Sequence, residues 1–280
     1  MTLILRDKSS LRAWRAALPP GRRLGFVPTM GALHAGHMSL VEEAGRHSDT
    51  VIASIFVNPL QFGPNEDLER YPRPIEADVD KLEQAGVAAL FLPSVAEMYP
   101  EGASTFVEES MVSLPLCGEG RPGHFRGVAT VVLKLFNLVA PHLAVFGQKD
   151  AQQCAVIERM VRDLDLPVEI RRAPIVREAD GLALSSRNAY LAPADRAAAP
   201  LIHQGLKAVE AAYRAGEHDA GRLAAVGLAV LAKSERIVPD YFEVRDPESL
   251  GAITTVGGRG ALVAVAARLG TTRLIDNLVL

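Results

Sequence analysis

His34 and His37 stand three residues apart in Pro28-Thr29-Met30-Gly31-Ala32-Leu33-His34-Ala35-Gly36-His37, directly after the apolar run Leu24 to Val27 and before a helix-like segment from Met38. The order reads as a strand, a glycine-bearing turn and a helix start. A helix start presents unpaired N–H groups and a partial positive charge, so it favours anions. Gly31 and Gly36 would let backbone approach a ligand where a Cβ would block it. Imidazoles add donors that are neutral or charged near pH 7. The chemistry this points to is phosphate handling.

Three further segments have the same character. Phe146-Gly147-Gln148-Lys149-Asp150 closes an apolar run with a glycine; Lys149 can reach phosphate oxygens as a mobile point charge, and Asp150 stands either as a helix cap or as a ligand contact. Ser185-Ser186-Arg187-Asn188 offers two hydroxyls and a guanidinium, a set suited to clamping phosphate or to capping a helix. The loop Asn58-Pro59-Leu60-Gln61-Phe62-Gly63-Pro64-Asn65, continuing through Asp67 and Arg70 to Tyr71-Pro72-Arg73, is rich in amides that both donate and accept. Such a loop suits a small polar substrate.

Other patterns are set aside. Gly118-Glu119-Gly120-Arg121-Pro122-Gly123 fits G-x-G-x-x-G but contains proline and follows no clear strand, so it is no dinucleotide site. His47, His142, His203 and His218 have no partner pattern, whereas His124, between Arg121 and Arg126, is a candidate lid residue. Arg171, Arg172 and Arg177 read as a solvated strand end. There is no zinc-ligand spacing.

A chain of 280 residues, 49% hydrophobic and 22% charged, can bury one large core or two smaller ones. A net charge of -3 and a pI near 6.2 argue against nucleic-acid binding, which calls for a basic stripe. Cys117 and Cys154 are far apart with no leader-like stretch before them, and no apolar run approaches the roughly 18 residues of a membrane span. A cytoplasmic protein without membrane or nucleic-acid partners is expected.

The elements that must position these groups are legible as alternation. Strands are expected at Leu24 to Val27, Val51 to Val57, Ala89 to Leu92, Leu143 to Phe146 and Val168 to Ile170. Helices are expected at Met38 to Arg46, Ile75 to Gln84, Val128 to Val139 and Ala151 to Asp163. This is the pattern of an α/β fold, a Rossmann-like parallel sheet with flanking helices, whose ligand crevice lies beyond the strands' carboxyl ends. The tail differs, with helices at Ala194 to Tyr213 and Ala220 to Lys233 before strands at Tyr241 to Val244 and Leu262 to Ala266. It predicts a smaller C-terminal α+β domain, with the boundary near Ile175: residues 1–175 and 176–280.

Taken in order, Pro28 to His37, Phe56 to Gly63, Tyr71 to Arg73, Gly123 to Gly127, Phe146 to Gln153 and Ser185 to Asn188 resemble the pantothenate synthetase (pantoate–β-alanine ligase) family. His34-Ala35-Gly36-His37 and Leu184-Ser185-Ser186-Arg187 are similar to the two ATP-handling signatures of the wider nucleotidyltransferase superfamily, although methionine is common where Leu184 stands. The resemblance implies a homodimer whose C-terminal domain closes as a lid over the site, using ATP with Mg²⁺. Pantoate carboxylate would attack the α-phosphorus, giving pantoyl adenylate and pyrophosphate, and the β-alanine amine would then displace AMP.

By the same resemblance His37, His34 and Lys149 are catalytic. ATP would lie against Met30, Gly31, Ala32, Leu33, His34, Ala35, Gly36 and His37, against Gly147, Gln148, Lys149 and Asp150, and against Val176, Leu184, Ser185, Ser186 and Arg187. Gln61 and Gln153 would bind pantoate, with Asn58 and Tyr71 shaping the pocket, and Asp78 is a guess for a metal ligand. A nucleotidyltransferase acting on a phosphate, or a nucleotide-binding sensor, would use the same histidines and lysine. AMP release that depends on pantoate and β-alanine separates the three.

Overall fold

A computed structural model describes residues 1–64 and 66–280; Asn65 of the amide-rich loop lies outside the described residues. Nine strands and ten α-helices are found among the described residues. Strands β1 (Leu3–Leu5), β2 (Leu24–Thr29), β3 (Thr50–Ile55), β4 (Ala89–Phe91), β5 (Leu143–Gly147) and β6 (Glu169–Ala173) form one parallel sheet in the order β1-β4-β3-β2-β5-β6. Its helices are α1 (Lys8–Ala16), α2 (Ala35–Arg46), α3 (Ile75–Gln84), α4 (Val95–Met98), α5 (Cys117–Gly120), α6 (His124–Val139) and α7 (Ala151–Asp163). The central strands bury both faces, as in β5, where Leu143 to Phe146 are all buried.

Strand order reverses between β2 and β5, and such a switch point opens a crevice at the carboxyl ends. The opening has a local cause. Pairing of β2 with β5 stops at Phe26↔Ala144, whereas β2 stays paired with β3 to Thr29↔Ile55. Pro28 lies beyond that last β5 pair and has no N–H to extend a ladder.

Past β6 the chain turns back on itself, with Leu184 N–H donating to the Val176 carbonyl at 3.0 Å and Arg177 bridged to Ala183. This brings Val176 beside the Ser185 segment. Then come α8 (Pro193–Ala198), α9 (Leu201–Arg214), α10 (Ala220–Leu231) and an antiparallel sheet of β7 (Ile237–Arg245), β8 (Leu262–Leu269) and β9 (Thr272–Val279). A separate apolar cluster including Ile202, Leu206, Leu223 and Phe242 forms between these helices and this sheet.

Several expectations need correction. β1 and α1 were not expected: β1 is three residues on an edge, and α1 buries fully only Leu11. α6 begins at His124, a turn before Val128, because its first turn is polar where Arg126 faces out. The expected helix Ala194 to Tyr213 is two helices that meet at Ala199 and Pro200. β9 was missed because it carries Arg273, Asp276 and Asn277. Arg177 is not a solvated strand end: its guanidinium grips buried Asp276 at 2.6 and 2.9 Å.

Candidate active site

A cavity opens at the β2/β5 switch point, with Met30, His34, Gly36 and His37 on one wall and Gly147, Lys149, Asp150 and Gln153 on another. Val176, Leu184, Ser185, Ser186 and Arg187 close it from the C-terminal side, and Gln61, Tyr71, Arg121 and His124 from the loop side. Its floor is apolar, with Phe56, Val128, Val131 and Leu135.

The histidine turn is built from its own side chains. Gly31 has φ +86°, and Ala32, at φ 51°, continues the left-handed turn. The N–H groups of Ala32 and Leu33 then point at one carboxylate, donating to Asp78 Oδ2 at 2.7 Å and Oδ1 at 2.8 Å. Asp78 is fully buried on α3, so both its oxygens are committed to this turn. It anchors the turn and does not line the cavity, which counts against the guess of a metal ligand. Lys81 Nζ donates to the Leu33 carbonyl at 2.7 Å and adds to the anchor. Gly31, Ala32, Leu33 and Ala35 accordingly do not line the cavity, and Leu33 is core.

His34 caps α2: its Nδ1 accepts from Gly36 N–H at 3.1 Å, and His37 Nδ1 accepts from His34 N–H at 3.3 Å. The imidazoles pack with centroids 4.1 Å apart. A Cβ on residue 36 would sit 2.9 Å from His34 Cε1, so Gly36 is there for the ring as well as for any ligand. With both Nδ1 atoms accepting, each neutral ring carries its proton on Nε2. Burial, with Lys149 and Lys81, pulls His34 down to about 4; burial, then His34, Lys149 and Lys81, pulls His37 to about 3. The pair therefore presents two neutral N–H donors at pH 7, beside the Lys149 ammonium.

The amide-rich loop packs on α6. A Cβ at Gly127 would lie 2.3 Å from the Leu60 carbonyl oxygen, so glycine allows the contact. Asn58 is 1% exposed and does not line the cavity. Its Nδ2 donates to Gln61 Oε1 at 3.0 Å and to the Gly127 carbonyl at 3.1 Å, while Oδ1 accepts from Tyr99 at 2.9 Å. Asn58 thus acts through Gln61, fixing its amide so that Nε2 is the end left for other partners, here Met30 Sδ at 3.1 Å. Asn58, expected to shape the pocket, bears on it from behind Gln61 without lining it.

His124 is held rather than loose: Nδ1–H donates to the Gln61 carbonyl at 2.8 Å, and Nε2 accepts from Arg121 at 2.9 Å. Burial and Arg121 pull it down to about 4. Arg121 grips Glu66 through two bonds of 2.6 Å, and Arg187 grips Asp67 in the same way. Two arginine forks thereby hold adjacent residues of the loop that follows Gln61. Tyr71 reaches Ser186 at 3.5 Å between their hydroxyls, and Ser185 Oγ accepts from Arg187 N–H at 3.3 Å. Sequence reasoning had not singled out Glu66, Arg121 or Asn277; the only signal for the first two was charge within glycine-rich loops.

Gln148 does not line the cavity; its amide faces Asn277 of β9. Asp150 makes no side-chain cap for α7 and lies 3.9 Å from Lys149 Nζ, so the capping alternative is not realised. It is the one carboxylate lining the cavity among the described residues, and no cluster of three or more metal-ligating side chains occurs among them.

The pattern of the family described as pantoate-beta-alanine ligase matches residues 3–279. This chain belongs to that family. Pantothenate synthetase of Acidobacterium capsulatum is 57% identical over 92% of this chain and 86% of its own, and that of Thermotoga neapolitana is 55% identical over 92% of each. The crystal structure of the Thermus thermophilus pantothenate synthetase superposes with a TM-score of 0.93 at 48% identity, covering 99% of both chains. A pantoate-beta-alanine ligase from Francisella tularensis, described as complexed with beta-gamma ATP and beta-alanine, has a TM-score of 0.82 at 33% identity, over 100% of this chain and 98% of that one. The expected family and fold are thereby established, and the chain is a ligase that joins pantoate to β-alanine. Among the described residues no helix is long and apolar enough to cross a membrane.

Proposed function

We propose that this cavity performs both half-reactions, activating pantoate on ATP and passing the acyl group to β-alanine. The observation that carries the reading is the pairing of fixed cationic and neutral donors, Lys149, His34 and His37, with an apolar floor of Val128, Val131 and Leu135. The donors suit the triphosphate; the floor suits the dimethyl carbon of pantoate, whose oxygens would meet Gln61 and Gln153. Val176, Met30 and Gly147 would line the adenosine, and Ser185, Ser186 and Arg187 the phosphates from the other side.

In the first step a pantoate carboxylate oxygen bonds to the α-phosphorus as the bond to pyrophosphate breaks. Charge grows on the departing oxygens, where the Nε2–H groups of His34 and His37 and the Lys149 ammonium stabilise it. Pre-set donors of this kind contribute roughly 2.7 to 4 kcal/mol each. In the second step the β-alanine ammonium gives a proton to solvent and its free amine attacks the acyl carbon; the bond from that carbon to the AMP oxygen breaks, and the nitrogen gives a second proton to solvent as the amide forms. No Ser-His-Asp arrangement or exposed cysteine lines the cavity among the described residues, so the acyl group is carried on AMP.

Mg²⁺ would accompany ATP and offset phosphate charge. One carboxylate beside a phosphate site is the sparse donor set this ion accepts, and Asp150 would hold it directly or through water. We further infer a division near Ile175 into a Rossmann-like ATP- and pantoate-binding domain and a smaller lid domain, and a cytoplasmic homodimer. The family likeness supports the dimer, as does the stretch bearing Phe106, Met111 and Leu114, which are 41%, 65% and 62% exposed. Sedimentation would test it.

The chemistry is tested by isotope. Labelled pyrophosphate should exchange into ATP with pantoate present and β-alanine absent, and oxygen-18 from the pantoate carboxylate should appear in AMP. Exchange without pantoate, or unlabelled AMP, would exclude the acyl-adenylate route.

A further inference from the structure

β9 places two polar residues in succession, Asp276 and Asn277, at 4% and 3% exposure. Successive residues of a strand face opposite ways, and a buried polar side chain is costly unless fully bonded. Both are bonded, and both partners belong to segments that line the cavity. Asp276 takes the fork of Arg177, the residue after Val176. Asn277 takes the loop of Lys149: Nδ2 donates to the carbonyl oxygens of Gln148 at 2.8 Å and Lys149 at 2.9 Å, and Oδ1 accepts from Gln148 Nε2 at 3.0 Å. Asn277 N–H donates to Asp276 Oδ1 at 2.8 Å, tying the two together.

The two carbonyls that Asn277 holds flank the Cα of Lys149, so one planar amide fixes both peptide planes around it. Those planes determine the direction of the Lys149 Cα–Cβ bond, and with it the region the ammonium can reach. An amide is required: a carboxylate of the same shape has no N–H to give and would repel both carbonyls.

We propose that Asn277 is a positioning residue for adenylate formation, through which the docked C-terminal sheet sets the reach of Lys149 toward the phosphates. This rests on the reading above that Lys149 binds the triphosphate. Asn277 touches no substrate; its effect passes through the loop. It should therefore matter when β- and γ-phosphates are present and not when the acyl group is already on AMP.

The experiment compares half-reactions within single preparations of Asn277→Ala, Asn277→Asp and Lys149→Ala. The first is pyrophosphate–ATP exchange; the second is pantothenate release from supplied pantoyl adenylate and β-alanine. Taking the ratio of the two rates cancels any loss of folded protein. Both Asn277 variants should lower the exchange rate relative to the second half-reaction by roughly ten- to a hundredfold, as misplacing a group by about 1 Å does. Lys149→Ala should lower the same ratio at least as far. Loss in Lys149→Ala with an unchanged ratio in both Asn277 variants would overturn the proposal alone. An unchanged ratio in Lys149→Ala would instead overturn the phosphate role of Lys149 on which it stands.

Discussion

Arg187 and Asp67 meet fork to fork, Nε to Oδ2 at 3.0 Å and Nη2 to Oδ1 at 2.9 Å, joining the segment after the turn from Val176 to Leu184 to the loop after β3. Burial raises the Asp67 carboxyl, and the Arg187 fork more than offsets this, holding it below its ordinary value. The grip uses two of the three guanidinium nitrogens, and among the described residues Nη1 has no side-chain or carbonyl partner. Asp67 thus presents Arg187 with one nitrogen left for phosphate. Asp67→Asn should raise the KM for ATP severalfold while leaving pantoate KM within about twofold. A lower ATP KM would show instead that Asp67 competes with phosphate for the arginine.

Asn58 and Gln61 are predicted to behave as one unit. Gln61→Ala should raise pantoate KM by about ten- to a hundredfold, because a buried amide that bonds substrate leaves unpaired groups when removed. Asn58→Ala should act in the same direction by releasing the Gln61 amide, with ATP binding preserved. Contacting residues couple, so the double variant should be little worse than Gln61→Ala alone. Full additivity, measured from the four KM values, would separate them.

What could be read in the sequence follows from how local the signal is. Strands β2, β3 and β5 are apolar runs ended by turn residues, and Met30 to His37 and Gly147 to Asp150 fall at their carboxyl ends, so the parallel sheet and its crevice were legible. β9 was not, because Asp276 and Asn277 break the apolar alternation to reach partners 99 and 129 residues away. For the same reason Arg177 looked solvated. The histidine turn was legible as a place but not as a mechanism: the turn's N–H groups at Ala32 and Leu33 are filled by Asp78, 46 residues further on in the case of Ala32, and the helix-start N–H of Gly36 by His34 Nδ1. Long-range polar partners leave no periodic trace.

Asp78→Ala should reveal that anchor. It leaves the buried Leu33 N–H without an acceptor, at about 1–3 kcal/mol, and the part-buried Ala32 N–H as well, with further loss from the misplaced turn. A marked fall in Tm is expected. In whatever active enzyme remains, the Mg²⁺ concentration for half-maximal rate should match the parent. A Tm near that of the parent together with a raised Mg²⁺ requirement would return Asp78 to the metal.

The last prediction concerns acid. His34 and His124 lie at about 4 and His37 at about 3 in the folded protein, all below the ordinary 6.5, with burial the first cause in each. His203 is lowered as well. A histidine depressed by folding binds fewer protons than in the unfolded chain, so its contribution to stability is full above the unfolded value and is lost as pH falls toward the folded one. Lys149 and Lys81 face both imidazoles of the pair, and Asp150 faces His34. Glu66 and Asp67, also lowered, add acid sensitivity only below the ordinary carboxylate range. At pH 5.5 unfolding should therefore take up roughly 0.9 proton for each of His34, His37 and His124. Tm should fall steadily between about pH 6.5 and 4.5. His37→Gln keeps an acceptor for the His34 N–H without the titration, so its unfolding should take up about one proton fewer. A Tm flat across that window, or equal proton uptake in His37→Gln and the parent, would show that these imidazoles are not held neutral by the fold.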